Sequence, residues 1–203
     1  MEQPIKKLQP VNDSSLENER RLIERARTYP LAFGELFDRY YDEIYRYLLH
    51  RTANVELTRD ITSDVFHIAL KKLWLFRWKQ VPFSAWLFRI ATNEVNGYFR
   101  KHKNYRTVRL EDFSDRLSEE SNAADFELLQ SETELQQKSD FIKLHRSISR
   151  LKPDYQAVIT LRFFEQKTLL EIAGILNKPE GTVKSLIHRA LEQLRDRMMS
   201  SNE

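Results

Sequence analysis

Five side chains near the C-terminus have the types and spacing to grip a nucleic acid: Thr182, Lys184, Ser185, His188 and Arg189. Lysine and arginine can meet phosphates or guanine edges, and the two hydroxyls can bond to either. His188 adds little by itself, since a lone surface histidine is usually inert. The surrounding pattern positions them. Leu169, Ile172, Ala173 and Leu176 make the inner face of a short helix, and Asn177–Lys178–Pro179–Glu180 is a turn. A second helix follows from Gly181 to Arg197, with Val183, Ile187, Ala190, Leu191 and Leu194 inward. Ala173 is the small residue that two steeply crossing helices need. Asn177 tolerates positive φ almost as well as glycine. Pro179 cannot continue the first helix and stands where the second begins. Val183 can plug the angle between them. This is the spacing of a helix-turn-helix, whose second helix enters a major groove by its N-terminal half, where the five polar side chains point outward. The bland alternative is a helical hairpin with a solvated face.

A second set lies on a helix predicted from Phe83 to about Lys103. Trp86, Phe88, Arg89, Tyr98, Phe99, Arg100, Lys101 and Lys103 interleave rings with cations. Separated DNA strands need planar faces for unstacked bases and cations to track phosphates. Asn93 and Asn96 can bond base edges and suit a buried face poorly. Trp86 reads as core, inward with Leu87, Ile90, Ala91 and Val95; Phe88 and Phe99 could be core as well. A third set, Asp60, Asp64, His67 and Lys71, recurs at spacings of four, three and four, so it shares one helix face. Two carboxylates and a histidine could hold a metal. No further Asp, Glu or His completes the coordination sphere, and Lys71 would repel a cation. A polar face for a charged partner is the simpler reading, with no cofactor, no metal and no catalytic residue.

The elements that carry these sets are helical. Glycine (four) and proline (six) are scarce among 203 residues, which argues against an all-β fold. Leu22, Ile23 and Ala26 suggest a short helix that stops near Pro30, after a loose tail to about residue 15. Phe33 to Arg51 repeats apolar residues at helical spacing, and a break follows at Thr52–Ala53–Asn54, where Asn54 can cap the next helix. That helix carries Leu57, Ile61, Val65, Ile68, Ala69 and Leu73, and is predicted to end near Trp78 because of Pro82. Helical periodicity resumes from about Phe141. The absence of cysteine excludes disulfides, thiolate metal sites and cysteine nucleophiles. No apolar run could span a bilayer, and the N-terminal residues lack the apolar stretch of a signal peptide. A cytoplasmic protein with no membrane insertion is expected.

Net charge is +3, unevenly distributed. Met1 to Arg106 holds 19 Lys+Arg against 13 Asp+Glu, Thr107 to Asp140 holds 3 against 10, and Phe141 to Glu203 holds 11 against 7. Two basic blocks, suited to polyanions, flank an acidic linker. The expected fold is all-α: two small helical domains joined by an acidic flexible linker.

Three stretches resemble one family, the bacterial RNA polymerase sigma factors of the extracytoplasmic-function (ECF, sigma-70) type. PFSAWLFRIATNEVNGYFRKHKN (Pro82 to Asn104) resembles the sigma helix that recognises and melts the minus-ten promoter element. RDITSDVFHIALKKLW (Arg59 to Trp74) resembles the preceding helix, which docks on the coiled coil of the polymerase's largest subunit. LKPDYQAVITLRFFEQKTLLEIAGILNKPEGTVKSLIHRALEQLR (Leu151 to Arg195) resembles the domain that binds the minus-thirty-five element. They stand in the family's order, with an acidic linker between.

The resemblance implies residues 1–30 as tail and short helix, 31–106 as sigma region 2, 107–140 as linker and 141–203 as sigma region 4. It implies core docking by Asp60, Ser63, Asp64, His67 and Lys71. It assigns minus-ten DNA to Trp78, Lys79, Arg89, Asn93, Asn96, Arg100 and Lys101, the loop from Trp78 to Pro82 capturing a flipped base. Minus-thirty-five DNA falls to Thr182, Lys184, Ser185, His188 and Arg189. The implied partners are RNA polymerase core (largest-subunit coiled coil and flap), promoter DNA and an anti-sigma factor, with no small-molecule substrate. The linker would thread through the polymerase near its active-site and RNA-exit channels. Ser63–Asp64 replaces the family's usual Gln-Glu pair, and Leu186 and Leu191 stand where basic residues are frequent, which removes phosphate contacts. Two other classes fit parts of the chain. A polymerase-independent helix-turn-helix regulator would explain the C-terminal half alone. A metal-dependent hydrolase would need Asp60, Asp64 and His67, with no phosphate loop or nucleophile elbow to support it.

Overall fold

The structure, a computed structural model, describes residues 13–77, 82–102, 144–145 and 147–199; no strand occurs among them. The linker 107–140 and the loop residues Trp78 and Lys79 lie outside the described residues, as does most of the N-terminal tail. Four helices form the first bundle: α1 (Asp13–Thr28), α2 (Phe33–Thr52), α3 (Val55–Lys72) and α4 (Phe83–Lys101). The second holds α5 (Pro153–Ile159), continued by a π-helical turn (Thr160–Phe164), then α6 (Leu169–Leu176) and α7 (Glu180–Met199).

Local chemistry sets the boundaries. α1 begins earlier than the expected end of the tail and buries Leu22, Ile23 and Ala26. Ala53 ends α2 in the left-handed region at φ 49°, its N–H bonded to the Leu49 carbonyl. Asn54 then caps α3, its side chain accepting from the Leu57 N–H at 2.9 Å. Thr52, Thr58 and Thr62 are buried here without orphaned hydroxyls. Thr52 and Thr58 share a 2.6 Å bond, and Thr62 donates to the Thr58 carbonyl.

The predicted continuation of α3 to near Trp78 is not observed. The helix ends at Lys72 in a 3-10 turn (Leu73–Leu75), and Phe76 is extended. The reason is tertiary: Arg27 of α1 donates Nε to the Leu73 carbonyl at 3.3 Å and Nη2 to the Phe76 carbonyl. Those carbonyls therefore have a partner without another helical turn. Phe76 then packs edge-on to Phe83 (5.2 Å between centroids) and against Trp86 (5.3 Å). This cluster ties together the two ends of the loop before α4. Pro82 gives α4 no side-chain cap. Buried Glu19 of α1 interacts with the Phe83 backbone instead, placing an acidic group at the positive end of the helix. Burial raises its carboxyl above the ordinary range, and it also accepts from the Tyr40 hydroxyl.

The inner face of α4 contains Leu87, Ile90, Ala91 and Val95 as expected, but also Phe88, which is fully buried. Phe88 lies edge-on to Tyr47 (5.1 Å), and Lys167 of the second bundle stands over its ring, so in this arrangement it offers no free face to a nucleotide. Trp86 is only half-buried. In the second bundle Ile172, Ala173 and Ile175 of α6 pack against Val183, Ala190 and Leu194 of α7. Leu191, expected inward, is 41% exposed, because it lies to one side of the Val183–Ala190–Leu194 stripe.

Candidate nucleic-acid interface

The helix-turn-helix is built as its turn chemistry requires. Asn177 closes α6 at φ 53°, ψ 48°, its N–H bonded to the Ala173 carbonyl, so the left-handed position falls on asparagine. Thr168 starts α6 with a reciprocal capping box: its hydroxyl accepts from the Glu171 N–H while Glu171 Oε2 accepts from the Thr168 N–H at 2.8 Å. The signal was in the sequence as Thr-x-x-Glu and the apolar pattern alone does not use it. α7 turns Thr182, Lys184, Ser185, His188 and Arg189 to solvent. Ser185 donates back to the Gly181 carbonyl at 2.9 Å, and His188 Nδ1 lies 3.5 Å from Glu192. The helix therefore presents a polar, net basic surface at its N-terminal half, where Val183 is buried and Leu186 and Ile187 are half-buried.

Asp60, Ser63, Asp64, His67 and Lys71 are all exposed along α3. Among the described residues, no three His, Cys, Asp or Glu side chains converge to hold a metal ion. On α4, Asn93, Arg100 and Lys101 are exposed. Arg89, Asn93, Asn96 and Arg100 fall four, three and four residues apart and share one stripe. Two members of that stripe are occupied. Asn96 Oδ1 accepts from Arg51 Nη2 at 2.8 Å. Arg89 reaches the second bundle, donating Nε to the Ile175 carbonyl at 3.3 Å and Nη2 to the Gly174 carbonyl.

That contact belongs to a polar seam between the bundles that periodicity gives no means of finding. Lys167 Nζ lies 2.5 Å from Glu43 of α2 and 4.8 Å above the Phe88 ring of α4. Arg46 of α2 approaches Glu165 at 3.6 Å, and the Glu165 carboxylate is almost wholly buried. Burial pushes the Glu165 carboxyl up to about 7, against the opposing pull of Arg46. His50 of α2 meets His145 at 2.9 Å and packs at a tilt against Phe164, 4.2 Å between centroids. Burial, with the neighbouring His145 and Arg46, pushes His50 down to about 3.

Together these features define a helical DNA-binding protein with two modules: a helix-turn-helix, and a four-helix bundle with a polar face on α3 and a basic, amide-bearing stripe on α4. Comparison with known proteins narrows the class. Residues 36–105 match the family model for Sigma-70 region 2, and residues 141–194 match that for Sigma-70, region 4. The chain is 33% identical over 186 residues to the ECF RNA polymerase sigma factor BldN of Streptomyces coelicolor, covering 91% of this chain and 67% of that one. It is 32% identical over 169 residues to the ECF sigma factor SigW of Bacillus subtilis, covering 82% and 89%. The fold resembles CnrH, solved with the cytosolic domain of CnrY, at TM-score 0.63 and 22% identity over 91% of this chain and 99% of that one. It also resembles the sigma factor RpoE of Bartonella quintana, solved with the anti-sigma factor NepR, at TM-score 0.58 and 19% identity over 82% and 96%. The chain belongs to the extracytoplasmic-function sigma factors of the sigma-70 family.

Proposed function

We infer that this chain binds RNA polymerase core and directs promoter-specific initiation of transcription. The observation that carries this reading is the conjunction of both family matches, in order, with polar faces on α3 and α7 that the fold leaves to solvent. Asp60, Ser63, Asp64, His67 and Lys71 form the docking face for the coiled coil of the largest polymerase subunit. The stripe Arg89, Asn93, Asn96, Arg100 and neighbouring Lys101, with Trp78 and Lys79 in the preceding loop, takes the minus-ten element. Thr182, Lys184, Ser185, His188 and Arg189 read the minus-thirty-five duplex.

The chemistry is recognition and strand separation. Unstacking a base costs a few kcal/mol and is offset by pocket contacts and by cations along the phosphates. The family is one of non-enzymatic initiation factors, so nucleotide transfer belongs to the polymerase. Related folds are solved with anti-sigma factors, which supports an anti-sigma partner here. No described helix is long and apolar enough to cross a membrane, and we place the protein's work in the cytoplasm with its polymerase.

In-vitro transcription with core polymerase and a genomic library, followed by mapping of start sites, tests this. A discrete set of starts that depends on the chain is expected. Starts identical to those of core alone would end the reading. A polymerase-independent regulator would account for α6 and α7 but leaves the match over residues 36–105 without a purpose.

A further inference from the structure

We propose that a cleft between α1 and the 3-10 turn after α3 binds a nucleotide, its base stacked on Trp74 and its phosphates held by Arg20 and Arg77. Among the described residues, none of those assigned to polymerase or promoter DNA lines it. The cleft has a volume of about 570 Å³, within the roughly 300 to 1,000 Å³ of small-ligand sites. Ile23 and Phe76, both buried, give it an apolar floor. Phe76 also walls it off from α4, since on that side the ring packs edge-on to Phe83 and against Trp86.

Trp74 supplies the plane. It is 71% exposed, and among the described residues no other ring lies against it. Leaving an indole in water forgoes the gain of burying it, which a stacked base would restore. Stacking of this kind accepts any base, because every base has a π-face.

The cations stand round that plane. Arg20, Arg27 and Arg77 line the cleft, with Glu24 as the one acid among the described lining residues. Arg27 is fixed by its bonds to the Leu73 and Phe76 carbonyls, made through Nε and Nη2. Arg77 is exposed and makes no hydrogen bond or ion pair among the described residues. Arg20 Nε lies 3.6 Å from Glu24 Oε1, but both side chains are mostly in water, where such a pair holds weakly. Guanidiniums meet phosphate oxygens through paired N–H bonds. A flat ring beside two available guanidiniums is the chemistry of a nucleotide; an acidic peptide supplies the anion without the plane. That chemistry has two sources, a free nucleoside polyphosphate or one unit of a single DNA strand.

The test titrates the full chain, by calorimetry without magnesium, with ATP, with inorganic triphosphate and with a short single-stranded oligonucleotide of deoxyadenosines. ATP is expected to bind at least about tenfold more tightly than triphosphate, which is no less charged but has no ring. Trp74→Ala should weaken ATP about tenfold, the scale of one lost base–aromatic stack, and Trp74→Phe, which keeps a ring, should recover most of that. Arg77→Ala should weaken ATP and triphosphate alike. Both positions are exposed, so the variants keep the fold. If Trp74→Ala weakens the oligonucleotide by the same factor as ATP, the occupant is a nucleotide of a DNA strand; if it weakens ATP alone, the occupant is a free nucleotide. ATP binding no tighter than triphosphate, or ATP binding unchanged in Trp74→Ala, would overturn the proposal. Start-site mapping is a separate measurement: a chain that directs no initiation removes the promoter role, whereas these titrations judge the cleft alone.

Discussion

Arg51 is a residue whose role only tertiary structure reveals. It lies on the last turn of α2, nearly fully buried, and its guanidinium donates to the Tyr47 hydroxyl and to Asn96 Oδ1, both at 2.8 Å. The Tyr47 hydroxyl also pairs with Thr92 Oγ1 at 2.8 Å. Arg51 Nε already has no partner. Tyr47→Phe removes one more acceptor from a buried cation, and it should cost about 1.5 to 3 kcal/mol, the range for hydrogen bonds to charged groups. Urea unfolding of the two proteins measures it, and a change under about 0.5 kcal/mol would mean water replaces the hydroxyl. On α7 the expectation concerns binding. Lys184→Ala and Arg189→Ala should each weaken duplex binding by about 1 to 3 kcal/mol if a base contact is lost. Titration of promoter duplex at two salt concentrations separates base from phosphate contacts, since a lost phosphate contact lowers the salt slope by about one. Unchanged binding in both variants would place the reading face elsewhere.

At the scale of elements, α6 is a short helix that depends on its ends. Its capping box satisfies two N-terminal donors, and Asn177 closes the other end. Thr168→Ala should destabilise the second bundle by about 1 kcal/mol, read as a lower urea midpoint with unchanged slope. An unaltered midpoint would mean that packing of Ile172 and Ile175 holds α6 by itself. The elements were legible because their rules are local: Asn54 as a cap, Asn177 as a left-handed residue, and the Ala173–Val183 spacing all depend on near neighbours. The stop of α3 at Lys72 was not, because Arg27 sets it from a distant helix. The same division holds for the site. Periodicity gave the exposed residues of α3 and α7, since exposure is the complement of the buried stripe. It could not tell that Phe88 is wholly core, nor that Arg89 and Asn96 are already bonded, because both depend on which helix lies opposite.

For the whole molecule, stability and proton binding are linked through two buried groups between the bundles that shift in opposite directions. Glu165 faces Arg46 and Glu43 of α2 and Lys167 of its own segment; His50 faces His145, Arg46 and the Phe164 ring. Unfolding returns both groups to their ordinary values of 4.5 and 6.5. Folded Glu165 is pushed up to about 7, so between pH 4.5 and 7 the folded chain holds a proton that the unfolded chain has lost. Its contribution to stability is complete below 4.5 and is lost as pH rises to about 7. Folded His50 is pushed down to about 3, so between 6.5 and 3 the unfolded chain takes up a proton that the folded chain refuses. Its contribution is present above 6.5 and is lost as pH falls. Between 4.5 and 6.5 the two slopes oppose each other. Glu165→Gln isolates one arm, because glutamine imitates the protonated carboxyl. Relative to the wild type, the Glu165→Gln chain should gain stability as pH rises from 4.5 to about 7, by up to about 1.4 kcal/mol per pH unit, with a constant difference above that. Urea unfolding of both chains at about pH 4.5 and about pH 8 measures it, and an equal stability difference at the two values would mean that Glu165 keeps an ordinary carboxyl in the folded chain.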